Sequence, residues 1–301
     1  MTKQSETKRI WQVIEFEVDA HQEDMAGWLM IKLGANGCEI DPAREGVMRL
    51  RATFEPEVIP GGDLSGIISA LDEYGLNASI ASLRTNELQE QDWLSKWKEG
   101  FEPFPVGERL LVCPPWHESK LTDEQRRGRK VVLIEPGLAF GTGFHETTRF
   151  CMLALQDYVD NSRRVLDIGT GSGILSIATA LLTDKPEIIA LETDPVACKN
   201  ARENFELNGV SKRIQLFEGS TQLLITQSAH SFDLLLINLT YEDHIALLND
   251  YVKLAAPGGT MIFAGILKEK GDLMSAALAE HGLTVTRRDE GKSWVGFTAK
   301  K

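Results

Sequence analysis

The stretch Val165-Leu166-Asp167-Ile168-Gly169-Thr170-Gly171-Ser172-Gly173 decides the fold of the larger part of this chain. A short apolar run ends in three glycines at alternate positions, and Ile174-Leu175 follow at once. That order predicts a buried strand, a tight turn and the start of a helix. Glu192 stands 23 positions after Gly169, at the end of a second apolar run. Together they make the plan of a nucleotide-binding α/β unit. The glycine spacing selects the ligand. A dinucleotide site uses G-x-G-x-x-G, whose third glycine lets the helix pack close behind a pyrophosphate. Here the pattern is G-x-G-x-G, which brings backbone near a ligand without the shape a pyrophosphate needs. S-Adenosylmethionine, which has a ribose and no phosphate, fits better.

Strand and helix signals alternate around this stretch from Lys130 onward. Strands are expected at Arg164–Ile168, Glu187–Glu192, Ile214–Glu218, Phe232–Asn238 and Gly259–Ala264. Helices are expected at Ile174–Leu182, Pro195–Asn208, Tyr241–Leu254 and Lys268–His281, with a terminal hairpin from Leu283–Arg288 and Ser293–Ala299. Pro195 suits a first helical turn, and Asn208-Gly209 a helix end. Such alternation implies a parallel sheet covered on both faces. Upstream, Arg9–Asp19 alternates as a half-buried strand, and Met25, Trp28, Leu29 and Leu33 fall at helical spacing. Cys38–Asp41 and Val47–Phe54 read as strands. Asp63 is placed to cap a helix carrying Ile67, Leu71 and Tyr74, and Asn77–Arg84 reads as a last strand. The order β-α-β-β-α-β predicts a ferredoxin-like α+β domain over residues 1–85. Residues 86–129 read as a connector, with aromatic and Pro residues (Trp93, Trp97, Phe101, Phe104, Trp116) between Asn86 and Glu118. They serve either as packing against both domains or as a hinge or substrate-contacting surface. Leu121–Arg129 reads as an exposed loop. The remaining 130–301 form the nucleotide-binding domain.

The candidate chemistry sits where strands end. In a sheet of this kind ligands bind beyond the carboxyl ends of the strands. Glu192 can accept two hydrogen bonds from a ribose diol. Asp167 has two readings: it meets a ligand ammonium, or it braces the turn. Asn238 in Ile237-Asn238-Leu239-Thr240-Tyr241 either orients an attacking amine or caps the following helix. That segment is not Asn-Pro-Pro-Tyr, so adenine amino groups and glutamine amides are disfavoured as acceptors. Pro136–Thr148 packs three glycines into seven positions, which suggests backbone close to a ligand. Thr147 or Thr148 then opens a helix, and His145 reads as bracing the loop rather than as a base.

Bulk properties narrow the function classes. A net charge of -12 over 301 residues argues against direct nucleic-acid binding, which depends on Lys and Arg neutralising phosphates. The four cysteines are scattered, with no C-x-x-C pair, which points to a reducing compartment and no metal site. Neither a signal peptide nor a membrane span is expected, and the cytoplasm is the default location.

Several blocks taken together resemble the bacterial methyltransferases that modify protein eleven of the large ribosomal subunit. They are Pro136–Thr148, Val165–Gly173, Leu191–Pro195, Ile237-Asn238-Leu239 and Gly265-Ile266-Leu267, with Asp92-Trp93, Trp97 and Gly107–Leu110 upstream. The resemblance implies a Rossmann-like class I methyltransferase domain behind a smaller N-terminal domain that recognises the substrate. It implies S-adenosylmethionine as cofactor and methylation of lysine ε-amino, and also α-amino, groups on that ribosomal protein, taken free before assembly. Carried over by position, the cofactor contacts fall on Thr148, Gly169, Glu192 and Asn238. Asp167, Gly171 and Phe140 complete the expected set, and Asn238 is the expected catalytic residue. The family usually has Asp where this chain has Glu192, which keeps a carboxylate with one more methylene. It often has Ile-Leu-Ala after the asparagine, where this chain has Leu239-Thr240-Tyr241. The alternatives are the same chemistry on another lysine-bearing protein, and a nicotinamide-dependent oxidoreductase.

Overall fold

Period-two patterning builds the N-terminal unit. Ile14, Phe16 and Val18 point to one face of β1 (Ile10–Asp19), while Glu15, Glu17 and Asp19 point to the other. A computed structural model describes residues 10–55, 58–59, 63–89, 101–135, 141, 143–225 and 231–301. The chain divides into two compact units, Met1–Phe101 and Glu102–Lys301. In the first, β1 is followed by α1 (Glu23–Lys32), β2 (Gly37–Arg44), β3 (Val47–Phe54), α2 (Ser65–Glu73), α3 (Asn77–Ile80) and β4 (Arg84–Gln89). The four strands form an antiparallel sheet of order β2-β3-β1-β4. Its apolar face packs Ile14, Phe16, Leu50 and Phe54 against Leu29 and Met30 of α1 and Ile67 and Leu71 of α2. Each fully buried side chain of this size stabilises the unit by about 1.5–3 kcal/mol. The opposite face is charged, with Arg51 donating to Glu15, Glu39 and Asp41.

The expected strand at Asn77–Arg84 is not there. Asn77–Ile80 is a helical turn, and the strand starts at Arg84, opposite Glu15. The reason is local: the Ser82 hydroxyl accepts the Glu17 N–H and donates to the Ser79 carbonyl. A turn therefore fills the place beside β1 that a strand would occupy.

The second unit begins with β5 (Phe104–Val106), β6 (Leu110–Cys113), α4 (Asp123–Arg126) and β7 (Lys130–Leu133), whose strands make a three-stranded sheet of order β5-β6-β7. The expected loop at Leu121–Arg129 contains α4, held by a capping box between Thr122 and Gln125. Trp93 and Trp97 lie outside the described residues. Then come α5 (Glu146–Tyr158), β8 (Arg164–Ile168), α6 (Ile174–Leu182), β9 (Glu187–Glu192), α7 (Pro195–Leu207), β10 (Ile214–Glu218), α8 (Gln222–Ile225), β11 (Phe232–Asn238), α9 (Tyr241–Leu254), β12 (Ala255–Leu267), α10 (Gly271–Glu280), β13 (Thr284–Glu290) and β14 (Trp294–Lys300). The sheet order is β10-β9-β8-β11-β12-β14-β13. Its first five strands run parallel, and β14 is antiparallel to both neighbours. This is a Rossmann-like mixed α/β core.

Successive residues of the central strands face opposite layers. Val165, Ile188, Leu234 and Leu236 pack with α5, α6 and α7. Leu166, Ile168, Leu235 and Ile237 pack with α9 and α10. The strand order reverses between β8 and β11, and a crevice opens at such a switch point beyond the carboxyl ends. Gly169 follows β8 there, and Asn238 ends β11.

Candidate active site

Backbone geometry at the first turn requires glycine. Gly169, Gly171 and Gly173 have φ of 69°, 56° and 86°, all left-handed. A Cβ on Gly169 would come within 2.5 Å of Leu239 Cδ2, and one on Gly173 within 2.4 Å of Phe205 Cε1. Gly173 is also the N-cap of α6. The turn is thus pressed between the segment after β11 and the helix after β9.

Two carboxylates hold this turn. Asp167 is fully buried, and its Oδ2 accepts from the Thr170 hydroxyl at 2.6 Å, the Ser176 hydroxyl at 2.7 Å and the Ser176 N–H at 3.1 Å. Burial pushes its pKa up to about 6, against the pull of the Thr170 and Ser176 hydrogen bonds. Of the two readings of Asp167, these contacts realise the brace, while Oδ1 is buried with no hydrogen-bond partner. Glu192 is half-buried at the tip of β9. Its Oε2 accepts the Gly171 N–H at 2.9 Å, and its Oε1 accepts those of Thr193 at 2.8 Å and Asp194 at 3.0 Å. A carboxylate has about four acceptor positions, so three are used by backbone. One acceptor position is left for a ligand hydroxyl.

At the end of β11 the arrangement differs. The Asn238 Nδ2 donates to Thr148 Oγ1 at 3.3 Å, across 90 residues of sequence. The Asn238 Oδ1 is shielded from water and has no hydrogen-bond partner. Helix capping, the other reading of this residue, falls to Thr240, whose hydroxyl accepts the Asp243 N–H at the start of α9. Behind Asn238, the Ala264 carbonyl accepts from the Leu239 N–H at 3.2 Å and faces His244 Nε2 at 2.8 Å. Burial lowers the His244 pKa to about 4, so the ring is a neutral donor. Gly265 has φ of 86°, and a Cβ there would meet the Leu239 carbonyl oxygen. Only glycine allows that crossing.

Thr148 is fully buried on the first turn of α5. Thr147 or Thr148 is expected to open this helix; the cap is instead His145, whose Nδ1 accepts the Thr147 N–H and lies 2.8 Å from its hydroxyl. An imidazole acceptor replaces the expected hydroxyl, and the helix begins at Glu146. His145 stacks edge-on against Trp294 of β14, with ring centroids 4.9 Å apart. Glu146 accepts the Lys292 N–H from the turn before β14. Phe140, expected among the cofactor contacts, lies outside the described residues, as do residues 136–139 and Thr142.

The structure therefore gathers Thr148 with Asn238, and Gly171 with Glu192, while Leu239 packs on Gly169. Sequence reasoning missed Ser172, Ser176, Thr240, His244 and Asn204. One signal was present for the last: Asn200, Asn204 and Asn208 recur every four residues along a helix, where asparagine is otherwise disfavoured. Among the described residues no group of three or more His, Cys, Asp or Glu side chains is placed to hold a metal, and no helix is long and apolar enough to cross a membrane. Cys38, Cys113, Cys151 and Cys198 are all free.

A family model described as "Ribosomal protein L11 methyltransferase (PrmA)" matches residues 10–301. Among individual relatives, the ribosomal protein L11 methyltransferase of Streptococcus thermophilus is 31% identical over 97% of this chain and 96% of its own. That of Pelotomaculum thermopropionicum is 37% identical over 74% of this chain and 69% of its own. The crystal structure of ribosomal protein L11 methylase from Lactobacillus delbrueckii subsp. bulgaricus matches with a TM-score of 0.58 and 27% identity, covering 66% of this chain and 98% of that one. With the glycine turn, the acid at the tip of β9 and the switch-point asparagine already in place, these matches lead to one conclusion: the chain belongs to the ribosomal protein L11 methyltransferase family.

Proposed function

We propose that the protein transfers methyl groups from S-adenosylmethionine to amino groups of ribosomal protein L11, and that Asn238 presents the acceptor amine. The observation that carries this reading is the Asn238 Oδ1, a buried acceptor without a partner beside the glycine turn. Its amide is oriented by the bond from Nδ2 to Thr148, which leaves the oxygen for an incoming N–H. The residues present suit the cofactor. Backbone at Gly169 and Gly171 would approach it, Glu192 would take a ribose hydroxyl, and Thr148 and Asn238 would border the methyl end. Asp167 would act through the turn it braces. When bound, S-adenosylmethionine supplies an activated methyl group on a sulfonium.

What remains for the protein is to bind, orient and dry an amine. A lysine must be neutral to attack, which costs about 4–5 kcal/mol at pH 7; an α-amino group costs about 1 kcal/mol. Enclosure beside a cationic sulfonium lowers that amine's pKa, since desolvation and like charge both disfavour the ammonium. Water takes the proton before the amine is enclosed, and Asn238 Oδ1 then accepts one remaining N–H and aims the nitrogen lone pair. No side-chain base is required.

In this reading residues 1–85 are a ferredoxin-like recognition domain, 86–129 a connector whose part from Glu102 folds with the second unit, and 130–301 the catalytic domain. The antiparallel order β2-β3-β1-β4, with both longer helices on one face, supports the first assignment. The substrate is the free protein, before ribosome assembly in the cytoplasm. The net charge of -12 favours this, because ribosomal RNA would repel the enzyme from an assembled subunit. Intact-mass spectrometry tests it. Purified L11 incubated with enzyme and cofactor should gain methyl increments, and assembled large subunits should gain far fewer. An unchanged mass for free L11 would reject the substrate assignment.

A further inference from the structure

The asparagines of α7 and its C-cap, Asn208, do different work. Asn208 grips β7: its Oδ1 accepts the Leu133 N–H at 2.8 Å, and its Nδ2 donates to the Leu133 carbonyl at 2.6 Å and the Asn204 carbonyl at 2.8 Å. Asn204, one turn earlier and fully buried, reaches two separate segments. Its Oδ1 accepts the Glu135 N–H at 3.0 Å, just before the glycine-rich block that starts at Pro136. Its Nδ2 donates to the Ser172 carbonyl at 2.9 Å, inside the glycine turn, with Asn200 Oδ1 a weaker second acceptor at 3.4 Å. Ser172 in turn donates its hydroxyl to the Gly141 carbonyl at 2.6 Å. Gly141 has φ of 107°, and a Cβ there would sit 2.8 Å from that hydroxyl oxygen.

Asn204 thus lies between the two glycine-rich motifs. It sits on the helix that follows Glu192, so one rigid element carries the tip of β9 at one end and this bridge at the other. Without it the carbonyl of the buried Ser172 would lose this partner. We propose that Asn204 is a positioning residue: it fixes the glycine turn against the end of β7 and thereby sets affinity for S-adenosylmethionine. This rests on the reading of the turn as that cofactor's site. Asn208 supplies the matched control. As the C-cap of the same helix it makes three backbone hydrogen bonds to Asn204's two, but none to the glycine turn.

The test is calorimetric titration of S-adenosylmethionine into the full-length wild type, N204A and N208A, with thermal unfolding of each. Both variants should lose stability. N204A should bind the cofactor at least fivefold more weakly than N208A, and N208A should stay close to wild type. A smaller ratio with both variants folded overturns the proposal. A wild type that does not bind overturns the cofactor reading and this one with it. If N204A does not fold, amide exchange in the wild type decides. Cofactor should slow exchange at the Glu135 N–H much more than at the Leu133 N–H, and an equal response at the two amides overturns the coupling.

Discussion

The two sides of the switch point are built to different degrees of completion. On the β8–β9 side, Asp167 and Glu192 accept six hydrogen bonds from the turn, the helix it opens and the residues that follow β9, and of their four oxygens Asp167 Oδ1 is the one buried without a partner. On the β11 side, Asn238 is steered by one contact to Thr148 and leaves its carbonyl oxygen unfilled. A buried acceptor without a partner costs about 1–3 kcal/mol, and a fold keeps such a group where something else satisfies it. Under the proposed function the comparison teaches a division of labour: the side that would bind the cofactor is mostly satisfied by its own backbone and hydroxyls, and the side that would react keeps its unfilled acceptor for the amine.

Substitutions on each side should break that division in opposite ways. The largest effect is expected at Asn238. N238A should lower kcat by about 100- to 1000-fold, in line with the loss of a preorganised polar group at a reacting centre. Cofactor affinity and unfolding temperature should change little. Single-turnover rates beside calorimetry check this, and a near-wild-type rate would remove Asn238 from the chemistry. Next comes Asp167. Its pKa near 6 in the folded protein exceeds the ordinary carboxylate value, so the native state holds the extra proton. Stability relative to D167N should therefore be highest below about pH 4 and fall as pH rises through 6, by about 2–3 kcal/mol. Urea unfolding of both proteins across that range measures it, and a pH-independent difference would contradict the buried charge. The smallest effect is expected for E192Q. Exchanging a charged acceptor for an amide should weaken S-adenosylmethionine binding about tenfold without altering kcat at saturation. A loss confined to kcat would place Glu192 on the reacting side instead.

Much of the central sheet was legible because its signals are local. Apolar runs that stop at glycine or an acid mark β8 and β9, and Ile174–Leu182 follows its glycine with the bounds expected for α6. Errors came where a distant partner overrides the local pattern. Asn77–Arg84 alternates like a strand, yet Ser82 is claimed by the Glu17 N–H, 65 residues away. β12 runs from Ala255 to Leu267, beyond its expected ends, because Ala255 still pairs with Phe232 across a register shift that holds Pro257, Gly258 and Gly259, and Ile266 and Leu267 pair with β14. Of the site, the glycines and Glu192 announce themselves by spacing. The link from Asn238 to Thr148 and the bridge through Asn204 span 90 and up to 69 residues, and no window of sequence contains them.

The neutral His244 behind Asn238 has a kinetic consequence. Because burial keeps its proton affinity near pH 4, the bond to the Ala264 carbonyl is the same at pH 6 as at pH 9. The support under the asparagine does not loosen as solution grows alkaline. A log-rate plot against pH above neutrality should therefore rise with unit slope and level off at the acceptor's own titration. The enzyme becomes an indicator of which nitrogen it is methylating, with a terminal amine levelling off well before a lysine.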